Sequence, residues 1–165
     1  MDTLEAIRIR RSIRKYETTP VNWADVETIV DAGRLAATGR GVEPWEFVVV
    51  TGERRRRELA EICEYGKYIA EAPACIVVLC RDTKYYLEDG AAATQNILVA
   101  ATALGLGCCW VAGDKKPYAE KIVKLLEAPP EFRLVSLVAV GYPSAEQPPR
   151  KSKRALAEVL HREKF

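Results

Sequence analysis

A basic run close to the N-terminus carries the side chains that suit a phosphate group. The run is Arg10, Arg11, Ser12, Ile13 and Arg14, so three guanidinium groups and one hydroxyl lie within five residues. A guanidinium donates paired hydrogen bonds to phosphate oxygens, and a hydroxyl adds a neutral donor. The run therefore predicts an anion site. The alternative is a solvated charged face, and for an isolated basic run this alternative is favoured.

A loop of small residues precedes the first predicted strand. Residues 36–41 are Ala-Ala-Thr-Gly-Arg-Gly, and Pro44 and Trp45 follow before the apolar strand. Small side chains let the backbone approach a flat ligand closely, and proline restricts how the loop enters the strand. These residues predict either a ligand-binding loop or an ordinary helix-to-strand turn beside a core tryptophan.

A second glycine-containing segment argues against one common kind of nucleotide site. Gly105 and Gly107 follow a predicted helix and stand before Cys108, Cys109 and Trp110. The dinucleotide fingerprint requires its glycines after a strand, and Cys109 and Trp110 stand where its third glycine belongs. Order and spacing therefore exclude a Rossmann site for NAD.

Few other side chains could support catalysis by themselves. The chain has one histidine, His161, and five cysteines without a Cys-x-x-Cys pair, which disfavours a zinc site or a disulfide framework. Reduced thiols predict a cytoplasmic protein, and the vicinal Cys108 and Cys109 are expected to be buried small hydrophobic residues. An enzyme built from this chain is therefore expected to use a bound organic cofactor and no metal.

Composition and charge limit the class of protein. The 165 residues are 48% hydrophobic and 29% charged, and 25 Lys plus Arg against 23 Asp plus Glu give a net charge of +2. This profile predicts one soluble globular domain over residues 1–165. The longest uncharged apolar run, residues 100–111, is too short to span a bilayer, and the N-terminus is neither a signal nor a transit peptide. So small a net charge argues against a nucleic-acid binder that uses its whole surface.

Helical and strand patterns alternate along the chain. Residue spacing predicts two helices capped by Asp2 and Asn22 and further helices over 53–65, 86–104, 117–126 and 155–160. Apolar runs predict strands over 47–51, 75–80, 108–112 and 134–140. The alternation predicts a single α/β or α+β layer structure. The helix over 86–104 is apolar on several sides, as expected in a core or an interface.

Four segments, in this order, resemble the FMN-dependent nitroreductase family. The family's phosphate motif Arg-Arg-Ser-x-Arg matches residues 10–14, and its small-residue loop before Gln-Pro-Trp-x-Phe matches residues 38–47, with Glu43 in place of the glutamine. Its long helix, Asp-x-x-x-Ala-x-Gln-Asn, and the following Gly-Leu-Gly-(Ser/Cys)-Cys-Trp match residues 89–110. Its basic segment before Leu-x-Glu-Val matches residues 151–159, so the resemblance extends over nearly the whole chain.

The resemblance implies an α+β fold, a nitroreductase-like mixed β-sheet flanked by helices in a single domain, and an intertwined homodimer with FMN at the interface. The ribityl phosphate would be held by Arg10, Arg11, Ser12 and Arg14, with positive charge added by Lys151 and Lys153. The flavin would be lined by Thr38, Gly39 and Gly41, usually from the partner subunit. Backbone N–H groups near flavin N5 and O4 would come from Ala112 and Gly113.

The implied activity is ping-pong hydride transfer, in which NAD(P)H reduces the flavin at N5 and a nitroaromatic or quinone-type acceptor is then reduced. No side chain is assigned to catalysis, because the chemistry takes place on the flavin. Residues 37–41 lack the family's asparagine, and the interval from Gly113 to Leu134 has room for one helix where larger members insert a lid. Arg40 has no family counterpart. It is expected to face solvent, and the alternative is a contact with an anionic substrate or with the nicotinamide phosphate.

Two other kinds of function remain open from the sequence. The same fold with FMN could serve flavin cleavage, reductive dehalogenation, or flavin binding without NAD(P)H oxidation. A small nucleic-acid-binding domain would use the basic runs 8–15, 54–57 and 150–154, which lack interleaved aromatic residues. Because run 54–57 stands among glutamates early in a helix, an exposed face with ion pairs is the favoured expectation there.

Overall fold

Four β-strands form one sheet in the computed structural model, which describes residues 1–149 and 152–165. The strands are β1 (Trp45–Val50), β2 (Ala74–Arg81), β3 (Gly107–Ala112) and β4 (Phe132–Gly141), in the spatial order β1-β2-β4-β3. All neighbouring strands are antiparallel. The sheet expected to be mixed is thus antiparallel in its four strands, and an isolated bridge between Ser12 and Cys108 adds a parallel contact at its edge.

The described residues include five α-helices. They are α1 (Thr3–Ile9), α2 (Trp23–Arg34), α3 (Glu53–Ile62), α4 (Tyr86–Ala103) and α5 (Ala119–Leu125). Both predicted caps are confirmed, because the Asp2 carboxylate accepts a hydrogen bond from the Glu5 N–H and the Asn22 side chain accepts one from the Ala24 N–H, each at 3.0 Å. The last of these helices begins after Pro117 rather than at it.

The helix expected over residues 155–160 is the clearest error of the sequence-based prediction. The structure has a single 3-10 turn there, Leu156–Glu158. Its apolar residues Leu156, Val159 and Leu160 are exposed and gain no packing from the described part of the chain. So short a segment cannot hold an α-helix without tertiary contacts.

Both faces of the sheet are covered, and its centre is the most buried part of the protein. Nearly every residue of β2 and β4 is buried, which explains their unbroken apolar sequences. One face packs against α4 through Ile97 and Ala101, and the other belongs to a cluster that includes Leu59 of α3 and Ile122 of α5. In the two described ranges, no helix is long and apolar enough to cross a membrane.

The chain after β4 runs back along the segment that follows α1. Tyr16 and Pro143 form an antiparallel bridge. The Lys15 carbonyl accepts hydrogen bonds from the Ser144 N–H at 3.1 Å and from Gln147 Nε2 at 2.7 Å. This pairing returns the C-terminal segment to the basic run near the N-terminus.

Candidate cofactor site

The basic run and the C-terminal segment line one cavity of about 450 Å³. Its lining residues are Arg10, Arg11, Ser12, Arg14, Pro148, Pro149 and Lys153. Arg11 Nη1 donates a hydrogen bond to the Pro148 carbonyl at 3.3 Å, which joins the two walls. Side chains from opposite ends of the sequence therefore meet around one space. The predicted residue Lys151 lies outside the described residues.

The positive charge of this cavity is not neutralised by neighbouring carboxylates. Arg10, Arg11 and Arg14 form no ion pair in the part of the chain that the structure describes, and no acidic side chain is among the lining residues. Lys15, which follows the run, does have a partner, since it pairs with Glu146 at 3.1 Å on the surface. Several unpaired cations around a concave surface favour a bound anion, and guanidinium groups match phosphate best.

Two backbone hydrogen bonds fix the basic run. The Arg10 N–H donates to the Ala6 carbonyl at 2.9 Å and closes α1, while the Ile13 N–H donates to the Cys108 carbonyl of β3 at 2.9 Å. Ile13 is 6% exposed and its neighbours are exposed. The buried isoleucine therefore anchors the run to the outer edge of β3 and leaves the polar side chains beside it at the cavity.

The outer edge of β3 presents an unpaired backbone donor at Ala112. In an antiparallel strand, the N–H and C=O of one residue point to the same side, and successive residues alternate. The Cys108 carbonyl accepts from Ile13, and the Ala112 carbonyl accepts from the Tyr118 hydroxyl at 2.6 Å, so both residues face the outer edge. The Ala112 N–H faces that edge too, where no described residue accepts a hydrogen bond from it.

Gly113, the second expected donor, uses its N–H inside the sheet. It donates to the Val135 carbonyl at 3.1 Å, and the Asp114 N–H donates to the same oxygen at 3.2 Å. Gly113 is also tightly packed, since a Cβ there would lie 2.5 Å from the Leu134 side chain. Of the two backbone donors that the resemblance implies, only that of Ala112 is thus without a partner among the described residues. The pairing register decides this difference.

The cavity and the Ala112 donor lie along the same strand edge. Ser12 is bridged to Cys108, and Ala112 stands four residues further along β3. At about 3.3 Å per residue, this corresponds to about 13 Å. An elongated ligand with a phosphate at one end and a hydrogen-bond acceptor at the other can engage both groups.

A buried carboxylate holds the loop of small residues. Asp89, in the first turn of α4, is 4% exposed and accepts hydrogen bonds from the Thr38 hydroxyl at 3.0 Å and from the Gly39 N–H at 2.8 Å. Asp89 is not among the site residues predicted from the sequence. Asp89 is the first residue of the helix motif at 89–110, and that position is the feature that could have indicated its role.

The same loop has an unusual backbone conformation. Arg40 and Gly41 are left-handed, with φ values of 60° and 66°. This conformation is unfavourable for a residue with a side chain and persists where the surroundings impose it. Thr38, Gly39 and Gly41 do not line the cavity of their own chain. The loop is thus a fixed, small-residue surface separate from the basic cavity.

The first turn of α4 connects this loop with the end of β3. Asp89 binds the loop, and three residues earlier the Tyr86 hydroxyl donates to Asp114 Oδ1 at 2.6 Å. This hydrogen bond to the Asp114 carboxylate raises the pKa of Tyr86 to about 12, so the hydroxyl stays protonated at neutral pH. One helical turn therefore sets the positions of residues 38–41 and of the turn after Ala112.

Tyr68 and two cysteines lie behind Arg14. The Arg14 guanidinium is 5.7 Å from the centre of the Tyr68 ring, and the Tyr68 hydroxyl is 3.0 Å from Cys109 Sγ. Cys108 and Cys109 are buried and free, as predicted. Burial raises the pKa of Tyr68, and it raises the pKa of Cys108 to about 12. Tyr68 and Cys108 therefore stay protonated at neutral pH, and the Tyr68 ring supports the Arg14 guanidinium.

The arginine run at 54–57 has partners within the protein. Arg54 and Arg57 form ion pairs with glutamates one turn away on α3, as expected. Arg55 and Arg56 donate hydrogen bonds to backbone carbonyls of neighbouring segments. A nucleic acid that bound at this run would have to displace these ion pairs and hydrogen bonds.

The chain matches the model of the Nitroreductase family over residues 7–74 and 63–142. A Methanothermobacter thermautotrophicus protein, whose name places it among the NADH dehydrogenases/NAD(P)H nitroreductases, is 35% identical over 154 residues, or 90% of this chain and 80% of that protein. The FMN reductase (NADPH) of Bacillus subtilis is 25% identical over 94% of this chain and 72% of its own length. An FMN-dependent nitroreductase structure from Clostridium difficile superposes with a TM-score of 0.91 at 26% identity, over 98% of this chain and 99% of that one. The chain belongs to the nitroreductase family.

Proposed function

We propose that this chain is an FMN-dependent oxidoreductase that accepts hydride from NAD(P)H and reduces a nitroaromatic or quinone-type acceptor in a ping-pong reaction. The observation that carries the proposal is the convergence of the N-terminal arginines and Lys153 on one cavity that has no carboxylate among its described lining residues. The names of the relatives, an FMN reductase that uses NADPH and an FMN-dependent nitroreductase, support this cofactor and this electron donor.

The groups at the two ends of the outer edge of β3 suit the two ends of FMN. The proposed phosphate ligands are Arg10, Arg11, Ser12, Arg14 and Lys153, joined by Lys151 from outside the described residues. Their charge-assisted hydrogen bonds are the strongest kind available to a phosphate dianion. The Ala112 N–H is proposed to donate to the flavin ring, with Gly113 fixing the turn behind it. Bound FMN supplies the two-electron chemistry, and a fixed donor stabilises negative charge that develops on the ring.

The proposal places the loop residues Thr38, Gly39 and Gly41 on the flavin of a partner subunit in an intertwined homodimer. Large apolar side chains support such an assembly, because they are exposed on α1 and on the C-terminal segment: Leu4, Ile7, Ile9, Leu156, Val159 and Leu160. Surface of this kind favours burial against another copy of the chain. Asp89 keeps the loop in one conformation, so that its backbone can contact a flat ligand without rearranging.

Access for the acceptor is proposed to be open. The interval between Gly113 and the start of β4 at Phe132 contains α5 and no further α-helix or strand. A site without a lid over it admits small aromatic acceptors of different shapes. The five free cysteines support a reducing compartment, and we propose a cytoplasmic location.

A visible absorption spectrum of the purified protein tests the proposal. We expect flavin absorption in the protein as purified or after titration with FMN. Anaerobic addition of NADH or NADPH should bleach it, and a nitroaromatic compound should restore it. A protein that is colourless after incubation with FMN and removal of the unbound flavin would refute the cofactor assignment. A bound flavin that neither nicotinamide reduces would refute the oxidoreductase and favour another chemistry on the same fold.

A further inference from the structure

The peptide group that joins Ala112 to Gly113 is held at both of its polar ends. Its carbonyl oxygen accepts a hydrogen bond from the Tyr118 hydroxyl at 2.6 Å, and its N–H donates to the Val135 carbonyl at 3.1 Å. The residue before Ala112 is paired within the β3–β4 ladder. With fixed backbone on both sides, the Ala112 N–H has one orientation, towards the outer edge of β3.

Tyr118 can hold this carbonyl because Tyr118 is itself fixed. It is the N-cap residue of α5, is 8% exposed, and belongs to the buried cluster that contains Ile122 and Leu134. Burial raises the pKa of its hydroxyl, which therefore remains a hydrogen-bond donor at neutral pH. A carbonyl on an open strand edge otherwise bonds to a further strand or to water. Here the Tyr118 hydroxyl donates to the Ala112 carbonyl instead of a further strand or a water molecule.

We propose that Tyr118 is a positioning residue that favours reduction of the bound flavin through Ala112. The inference rests on the proposed function, in which the Ala112 N–H donates to the flavin ring. A donor already aimed at the atom where negative charge develops stabilises the reduced form without reorganising. Loss of the Tyr118 hydroxyl leaves the Ala112 carbonyl without its partner, so the Gly113 hydrogen bond alone holds this peptide group and the Ala112 donor is oriented less firmly.

The variant Tyr118→Phe removes the hydroxyl and keeps the ring. We expect the preference of the protein for reduced over oxidised FMN to fall about 3- to 10-fold, the range of one neutral hydrogen bond. For a two-electron couple, at about 30 mV per tenfold change, this shifts the midpoint potential by about 14 to 30 mV to more negative values. The potential is measured by reductive titration of the FMN-loaded protein against a reference dye. The affinity for oxidised FMN should stay within about twofold, because the phosphate ligands are untouched.

Tyr142→Phe is the matched control. Tyr142 follows the end of β4 that pairs with the start of β3, away from Ala112, and its hydroxyl makes no hydrogen bond to any residue that the structure describes. We expect its midpoint potential to equal that of the unmodified protein. A shift as large as that of Tyr118→Phe would overturn the inference, because it would show a general effect of removing a tyrosine hydroxyl.

A double-mutant cycle separates positioning from simple destabilisation. Ala112→Pro removes the N–H itself, and proline is tolerated where a strand donor faces an open edge. We expect it to make the potential more negative and to abolish any further effect of Tyr118→Phe. Shifts that add independently, or a lower melting temperature with an unchanged potential, would overturn the inference. If the unmodified protein binds no FMN, the proposed function fails instead, so the two failures are distinguishable.

Discussion

The contact between Asp89 and the loop of residues 38–41 can be tested by removing its carboxylate. In Asp89→Ala, the Thr38 hydroxyl and the Gly39 N–H lose an acceptor at 3.0 Å and 2.8 Å. Both donors are partly buried, so water replaces the lost acceptor only incompletely. The loop also contains the left-handed residue Arg40, whose conformation depends on such contacts.

The expected loss of stability follows from these two hydrogen bonds. Each hydrogen bond to a charged group contributes about 1.5–3 kcal/mol. Removing a carboxylate that is 4% exposed also removes the cost of its desolvation, which offsets part of the loss. We therefore expect the free energy of unfolding to fall by about 2–4 kcal/mol, with a melting temperature lower by about 5–15 °C for a chain of this size.

Urea denaturation of the flavin-free protein measures this change without interference from cofactor binding. Asp31→Ala is the control, since the Asp31 carboxylate pairs with Arg34 on the exposed face of α2. Such a surface pair contributes about 0–1 kcal/mol. If Asp89→Ala lies within about 0.5 kcal/mol of this control, the reasoning that a buried carboxylate holds the loop is refuted.

Three further outcomes follow from the site and the core. Arg10→Ala should weaken FMN binding about 10- to 150-fold in a fluorescence titration, because one charge-assisted hydrogen bond is lost. Arg34→Ala is the control, and an unchanged affinity of Arg10→Ala would remove Arg10 from the phosphate site. Arg40→Gly should raise the free energy of unfolding by about 0.5–1 kcal/mol, because glycine adopts a φ of 60° without strain; a decrease would contradict that account. Burial raises the thiol pKa from 9.0 to about 11 for Cys63 and about 12 for Cys108, so the folded state keeps protons that the unfolded state loses above pH 9.0. Under reducing conditions, urea denaturation should show stability falling by about 1 kcal/mol or more between about pH 8 and about pH 10, and a constant stability would contradict this.

The sequence by itself determined the elements and the order of the motifs. Apolar runs predicted both ends of each strand to within two residues, and the capping residues Asp2 and Asn22 predicted where the first two helices begin. These features are local, because a helix or strand that buries one face has apolar residues at a fixed spacing within its own segment. The four motifs at 10–14, 38–47, 89–110 and 151–159 together predicted the family, since their side-chain types and order can be read from the sequence alone.

Only the tertiary structure decided how these residues are used. Whether Ala112 or Gly113 keeps a free N–H depends on the register with β4, which is set by residues far along the chain. The role of Asp89 required the loop and α4 to be adjacent, and the helix expected over 155–160 failed because its apolar residues find no partner in the described chain. Hydrogen-bond direction and packing are relations between distant segments, and a pattern within one segment does not contain them.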